Sequence, residues 1–174
     1  AFSPNGQQLA LTLSKDGNPE IYTMSAAGGS PNRLTRTRGT ETSPSWSPDG
    51  SQIVFNSDER GSNQLYVISS TGGEPTKLTT PGSYSAEPSW SPDGTKIAYS
   101  SRTGGGFCIC IYDIAKRTAQ QVSSGLGEDP CWTRNSRHLI YSNGGSLHVL
   151  DTLTKQSSRL DNGLTNCTEP AISR

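Results

Sequence analysis

The chain has 174 residues, and its 15 Lys and Arg residues balance its 15 Asp and Glu residues, so the formal net charge is zero. The absence of any basic cluster argues against a nucleic-acid partner, because phosphate binding depends on grouped cations, and no apolar run approaches the about 20 residues of a membrane helix, so we expect no membrane insertion. The 19 Gly and 11 Pro residues favour many short strands joined by tight turns.

A short motif recurs along the chain at a nearly fixed spacing. It reads Trp-Ser-Pro-Asp-Gly at 46–50 and at 90–94, with a weaker copy at 2–6 and a decayed copy at 132–136. Residues 172–174 look like a fifth copy that is cut short. Pro, Asp and Gly suit successive positions of a tight turn, and a repeat of this length indicates a repeat architecture.

The predicted elements follow the same order in each repeat. The first repeat has strands at 8–13, 20–24 and 32–35, with a hairpin turn at 15–18. The second has strands at 52–55, 65–68 and 75–79, and the third at 96–100, 108–113 and 119–122. The fourth has strands at 138–141, 147–150 and 157–160.

The pattern of apolar residues predicts an all-β protein, a β-propeller built of four-stranded antiparallel blades. The second and third strands of each repeat are continuous apolar runs, as in strands covered on both faces, and the fourth strand is polar like an outer edge. Stacked blades would bury Ile53, Phe55, Leu65 and Val67. The rival fold is a row of stacked β-units.

The phase of the repeat suggests how the ring is divided. We expect blades at about 1–43, 44–87, 88–129 and 130–169, with 170–174 starting the next. Both ends of the chain have the phase of an innermost strand, and a closed ring of four blades would have room for only one of them. We therefore expect the chain to form four blades of a larger ring. The first and last blades would each have one face without a neighbouring blade, and these faces would expose apolar surface and favour self-association.

Catalytic signals are weak. There is no G-x-S-x-G motif, Gly104–Gly106 reads as a hairpin tip, and the two histidines, His138 and His148, read as surface or core residues. Cys108 and Cys110 alternate on one strand, so they should not bridge each other easily. A Cys131–Cys167 disulfide and buried free thiols both remain open.

Three segments resemble the repeat of the TolB family: 18–24, 72–75 and 87–90. The resemblance implies a six-bladed propeller that follows a small α/β domain, and it implies a periplasmic protein without enzymatic activity. It further implies binding of Pal, a peptidoglycan-associated lipoprotein, at the channel mouth, and a role in envelope integrity and cell division. Other envelope proteins are further candidate partners. Similar repeats occur in propellers attached to serine peptidases and in sugar lyases, so an accessory enzyme domain is the alternative.

An acidic residue precedes each predicted inner strand. We expect these carboxylates to line one face of the channel, where they could receive basic residues of a partner or a cation; the structural alternative is that they cap local backbone amides. We expect no cofactor and assign no metal ligand. The predicted partner-binding residues, including the loop around Thr42 that the resemblance implies, are Arg38, Glu41, Thr42, Tyr84, Ser85, Glu87, Asp129 and Glu169.

Overall fold

The computed structural model describes residues 1–160 and 167–171, and this part of the chain folds into β-strands without helices. It accordingly has no helical segment of the length and apolarity that crossing a membrane requires. The partial fifth motif at 172–174 lies outside the described residues. The strands form four antiparallel sheets.

The first sheet has the order β1-β2-β3, with β1 at Gln8–Leu13, β2 at Glu20–Ser25 and β3 at Asn32–Arg33. A fourth, innermost strand is reduced to a single bridge between Phe2 and Leu9. The first sheet therefore has three of the predicted four strands, and this bridge stands in place of the innermost one.

The other three sheets each have four strands in sequence order. In the second sheet these are β4 (Glu41–Trp46), β5 (Gln52–Ser57), β6 (Gln64–Ser69) and β7 (Thr76–Lys77). In the third they are β8 (Ser85–Trp90), β9 (Lys96–Arg102), β10 (Phe107–Asp113) and β11 (Thr118–Gln121). In the fourth they are β12 (Glu128–Trp132), β13 (His138–Asn143), β14 (Ser146–Asp151) and β15 (Ser157–Arg159).

The sheets are arranged around an axis rather than in a row. The motif-bearing strands β4, β8 and β12 are the inner strands, and β4 contacts β8, which contacts β12. This order makes an all-β open, partial propeller, and it excludes the stacked row. The predicted blade limits at 44, 88 and 130 fall within these inner strands, and the division of the chain into blades remains a prediction.

Three apolar clusters fill the seams between consecutive sheets. Ile53 and Phe55 are fully buried against the first sheet, while Leu65 is fully buried against the third. Val67 packs at the edge of its cluster and is only half-buried. Because the middle strands are covered on both faces, burial of apolar area at about 25 cal/mol per Å² is the main stabilising contribution.

Tryptophan and turn residues link the sheets at the ends of the inner strands. The Trp132 indole Nε1 donates to the carbonyl of Ser89 in the preceding inner strand at 3.0 Å. The turns that follow the tryptophans also stack, since a Cβ added to Gly94 would lie 3.2 Å from Pro48 of the previous turn. The recurring motif thus builds both an inner strand and a ring of touching turns.

The cysteines form no disulfide. Cys108 and Cys110 are buried on the same face of β10, with their Sγ atoms 3.9 Å apart. Burial and the adjacent Cys108 raise the pKa of the Cys110 thiol to about 12. This thiol is therefore protonated at neutral pH.

Candidate binding site at the channel mouth

An irregularity in each inner strand sets the geometry of the site. The register shifts by one residue at the middle of each inner strand. This shift occurs where β4 pairs with β5, where β8 pairs with β9 and where β12 pairs with β13. Such β-bulges bend a strand and redirect a side chain. The redirected residue is in each case the one immediately before a proline.

These residues before proline adopt an unusual backbone conformation. Ser43 and Glu87 have φ of 55°, Asp129 has 53° and Glu169 has 51°. A left-handed conformation costs a residue with a side chain about 1–2 kcal/mol, and four equivalent positions share it. The surrounding sheets therefore impose the same strained geometry at all four of these positions, a pattern that is typical of functional positions.

The four X-Pro pairs converge on one hollow. It has a volume of about 610 Å³ and opens at the axis of the inner strands. Its lining consists of Ala1 and the pairs Ser43–Pro44, Glu87–Pro88, Asp129–Pro130 and Glu169–Pro170. Three of the four pairs contribute a carboxylate, and none of the described residues that line the hollow has a basic side chain, so it is an acidic opening.

Hydrogen bonds connect the acids from blade to blade. Glu87 Oε2 accepts from the hydroxyl of Ser100 at 2.5 Å and from the backbone amide of Asp129 at 3.1 Å. Asp129 Oδ2 in turn accepts from the backbone amide of Glu169 at 3.4 Å. Glu87 and Asp129 therefore each cap the amide of the next X-Pro position, and a carboxylate has further lone pairs that can accept from a partner.

The carboxylates also repel one another. Partial burial, followed by the negative charges of Glu87 and Glu169, raises the pKa of Asp129 to about 6. A cationic group that entered the hollow would relieve this repulsion. The opening is thus electrostatically suited to basic side chains.

Glu41 does not join this acidic group. It lies two residues before Ser43, which occupies the position equivalent to Glu87, and its side chain is fully buried. Its Oε1 accepts hydrogen bonds from the hydroxyls of Thr37 at 2.6 Å and Ser57 at 2.7 Å. The bulge explains this difference, because only the residue next to the proline is turned toward the axis.

The remaining predicted residues do not line the hollow. Ser85 is fully buried at the position equivalent to Glu41, and its hydroxyl lies 3.0 Å from that of Thr80. Thr42 accepts a hydrogen bond from Asn56 at 2.7 Å, and the hydroxyl of Tyr84 accepts one from Asn63 at 2.7 Å. Arg38 is exposed. Of these residues, Arg38 presents its charge to solvent, and the side chains of Thr42 and Tyr84 are partly exposed.

Sequence reasoning missed Ser43 and the prolines as lining residues. The signal was present in the sequence, because the residues immediately before Pro44, Pro88, Pro130 and Pro170 are Ser43, Glu87, Asp129 and Glu169. Selecting acids alone placed Glu41 in the set instead.

Comparison with known proteins places the chain in a family. The model of the TolB beta propeller domain matches residues 1–174. TolB from Acinetobacter baumannii has a similar structure, with a TM-score of 0.84 and 30% identity over 97% of this chain and 44% of that chain. A candidate TolB from Agrobacterium tumefaciens gives a TM-score of 0.81 at 19% identity, covering 91% of this chain and 62% of that chain.

A more distant likeness shows how widely the fold is shared. A puromycin-hydrolysing peptidase of Mycobacterium tuberculosis gives a TM-score of 0.71 at 16% identity, over 92% of this chain and 28% of that chain.

This chain spans less than half of the Acinetobacter TolB and less than two thirds of the Agrobacterium protein. The match over its full length shows that the chain belongs to the TolB beta propeller domain family.

Proposed function

We propose that this chain is a non-enzymatic protein-binding propeller that receives a Pal-like lipoprotein at the acidic channel mouth. The observation that carries the proposal is the convergence of Glu87, Asp129 and Glu169 on one hollow. Electrostatic complementarity favours partners with basic side chains and rejects acidic ones. The loops that carry Arg38, Thr42 and Tyr84 would form the rim of the contact.

The family membership supports the setting of this function. A TolB-like propeller in the periplasm would act in envelope integrity, cell division and associated transport. Binding by such a propeller needs only a fixed surface, and the hydrogen-bonded acids provide one. The site requires no cofactor for this role.

The test is capture of this chain by an immobilised Pal-like domain. Replacing Glu87 and Asp129 together by Lys should weaken capture at least about tenfold, since like charges at an interface cost several kcal/mol. The matched control is Glu74→Lys, which reverses an exposed acid outside the hollow. Equal capture of all three proteins would contradict the acidic-mouth proposal.

A second candidate function is an accessory propeller of a peptidase, and the mycobacterial structure is the observation that favours it. In that case the catalytic residues would lie outside this segment. A hydrolase domain with a G-x-S-x-G nucleophile motif in the same polypeptide would favour this candidate over the first. Failure of every Pal-like domain to bind would point the same way.

A further inference from the structure

Two carboxyl groups are buried together in the seam between the first and second sheets. Glu20 in β2 and Glu41 in β4 both have fully buried side chains. Each contributes one oxygen, Oε2, that receives no hydrogen bond from a donor among the described residues. The two carboxyl groups lie close together, because Thr37 donates a hydrogen bond to each of them. Two carboxylates cannot hydrogen-bond without a proton between them.

Among the described residues, Arg33 is the one cation that bonds to the pair. Arg33 Nη2 donates to Glu20 Oε1 at 2.5 Å, whereas Glu41 receives only hydroxyl donors. Burial followed by the nearby Glu20 raises the pKa of Glu41 to about 7. Burial opposes ionisation of Glu20, but the Thr35 hydroxyl and Arg33 outweigh it and lower the pKa of Glu20. The pair is therefore balanced with a single proton.

The carboxyl pair holds the loop at 34–40, which connects β3 to β4. The backbone amide of Thr37 donates to Glu20 Oε1 at 3.0 Å, and its hydroxyl donates to Glu41 Oε1 at 2.6 Å. The hydroxyl of Thr37 also accepts from the amide of Gly39 at 3.0 Å. Asn18 Nδ2 also donates to the carbonyls of Thr37, at 3.2 Å, and of Gly39. Arg38 lies between these two anchored residues, so its position depends on the pair and on Asn18.

The second repeat offers a neutral version of the same arrangement. Gln64 occupies the position of Glu20, and Ser85 occupies that of Glu41. Thr80 of the connecting loop lies 3.4 Å from Gln64 Oε1 and 3.0 Å from the Ser85 hydroxyl. An uncharged network therefore suffices to close an equivalent seam, and the acids add pH sensitivity rather than a structural requirement.

We propose that Glu20 and Glu41 share one proton between their Oε2 atoms and that its loss at rising pH releases the loop at 34–40. The second negative charge would be buried beside the first. Repulsion would move the two carboxylates apart, and Thr37, which is bonded to both, would keep only one of these bonds. Release of Thr37 would free Arg38, which the proposed function places at the rim of the contact. The chain thus contains a proton-controlled loop beside its candidate binding surface.

The other ionisable groups around the pair do not supply this response. Burial raises the pKa values of Tyr22 and Tyr66 above 10, so both stay neutral in this range. Both histidines lie in the fourth sheet. Arg33 bonds to the pair and lies 3.9 Å from Asp16, and Asp58 accepts from the backbone amide of Thr40 in the loop. The loop itself carries Arg36 and Arg38, and Glu59 and Arg60 line a pocket together with Arg36 and Thr37.

The sign of the effect follows from the raised pKa of Glu41. Its contribution to stability is fully present below its unfolded-state pKa, near 4.5, and is lost as pH rises through about 7. The lowered pKa of Glu20 acts in the opposite sense at acidic pH, because protonation of Glu20 weakens its bond to Arg33. The loop should therefore be held most firmly under mildly acidic conditions.

Hydrogen–deuterium exchange of this chain at pH 5.5 and pH 8, corrected for intrinsic exchange rates, tests the proposal. We expect protection at 34–40 to fall about tenfold, the equivalent of one pKa unit, while protection at 78–84 in the next repeat stays constant. Glu41→Gln keeps a neutral side chain of the same shape and should abolish the pH response at 34–40. An equal response of both loops, or an unchanged response in Glu41→Gln, would overturn the proposal.

A second variant keeps the test decisive if Glu41→Gln folds poorly. The pair Glu20→Gln with Glu41→Ser copies Gln64 and Ser85, a combination that this chain already accommodates. It should give pH-independent protection at 34–40. The control Glu87→Gln removes a mouth carboxylate and should leave the response at 34–40 intact; loss of the response there would equally contradict the proposal.

Discussion

At the scale of single residues, the acids of the channel mouth have two roles. Glu87 and Asp129 each accept the backbone amide of the next blade, which is the structural role that the sequence left open. The same carboxylates line the hollow. One residue type therefore both joins consecutive blades and makes the opening acidic.

The raised pKa of Asp129 leads to a pH-dependent affinity. Asp129 loses its charge as pH falls through about 6, so binding of a cationic partner should weaken severalfold between pH 7 and pH 5. Isothermal titration calorimetry with a Pal-like domain at both pH values measures this change. Asp129→Asn should bind more weakly at pH 7 and lose most of the pH dependence; an unchanged pH dependence would show that another group titrates.

The same shift predicts a contribution of Asp129 to stability with a definite sign. Since its pKa is raised in the folded state, the contribution is present at low pH and is lost as pH rises through about 6. Stability and partner affinity should therefore respond to Asp129 in opposite directions. This opposition is typical of a binding site that carries electrostatic strain.

At the scale of elements, the inner strand and its turn form the unit that repeats. Gly50 and Gly94 close their turns at φ of 74° and 75°, and Gly6 closes the first turn at 70°. A Cβ added at Gly94 would meet Pro48 at 3.2 Å, whereas at Gly6 it would meet nothing within 4 Å. Comparing Gly94 with Gly6 therefore separates the free-energy cost of the positive φ from the cost of the contact between turns.

Replacing Gly94 by Ala should therefore destabilise the chain more than replacing Gly6 by Ala. Both variants incur the penalty of a positive φ, about 1–2 kcal/mol, and only Gly94→Ala also strains the stacked turns. Urea denaturation of the two variants and the parent chain measures the difference. Equal free energies of unfolding in the two variants would mean that the turns do not support one another.

The sequence predicted the elements well where one physical signal dominated. Continuous apolar runs gave the middle strands, and the turn motif gave the ends of the inner strands, because both depend on local chemistry. The sequence did not reveal the bulge, since its left-handed residue is Ser43 in one blade and Glu87 in another. That conformation is imposed by packing between blades. For this reason Glu41 was predicted to lie at the channel mouth, although its side chain is buried.

At the scale of the whole molecule, four sheets lie around one axis and each seam has its own core. The seams differ in their polar chemistry: the first holds two carboxyls, and the second holds an amide and a hydroxyl at the equivalent positions. A shared architecture therefore presents different chemistry in each blade. At the axis, three of the four X-Pro pairs each contribute a carboxylate.

The central claim is that a partner protein binds where the X-Pro pairs meet. Hydrogen–deuterium exchange of this chain with and without a Pal-like domain tests it most directly, because it locates the contact. We predict protection at 42–44, 86–88 and 129–131 and none at the turns 47–50 and 91–94. Protection confined to those turns, or no protection at saturating partner, would contradict the account.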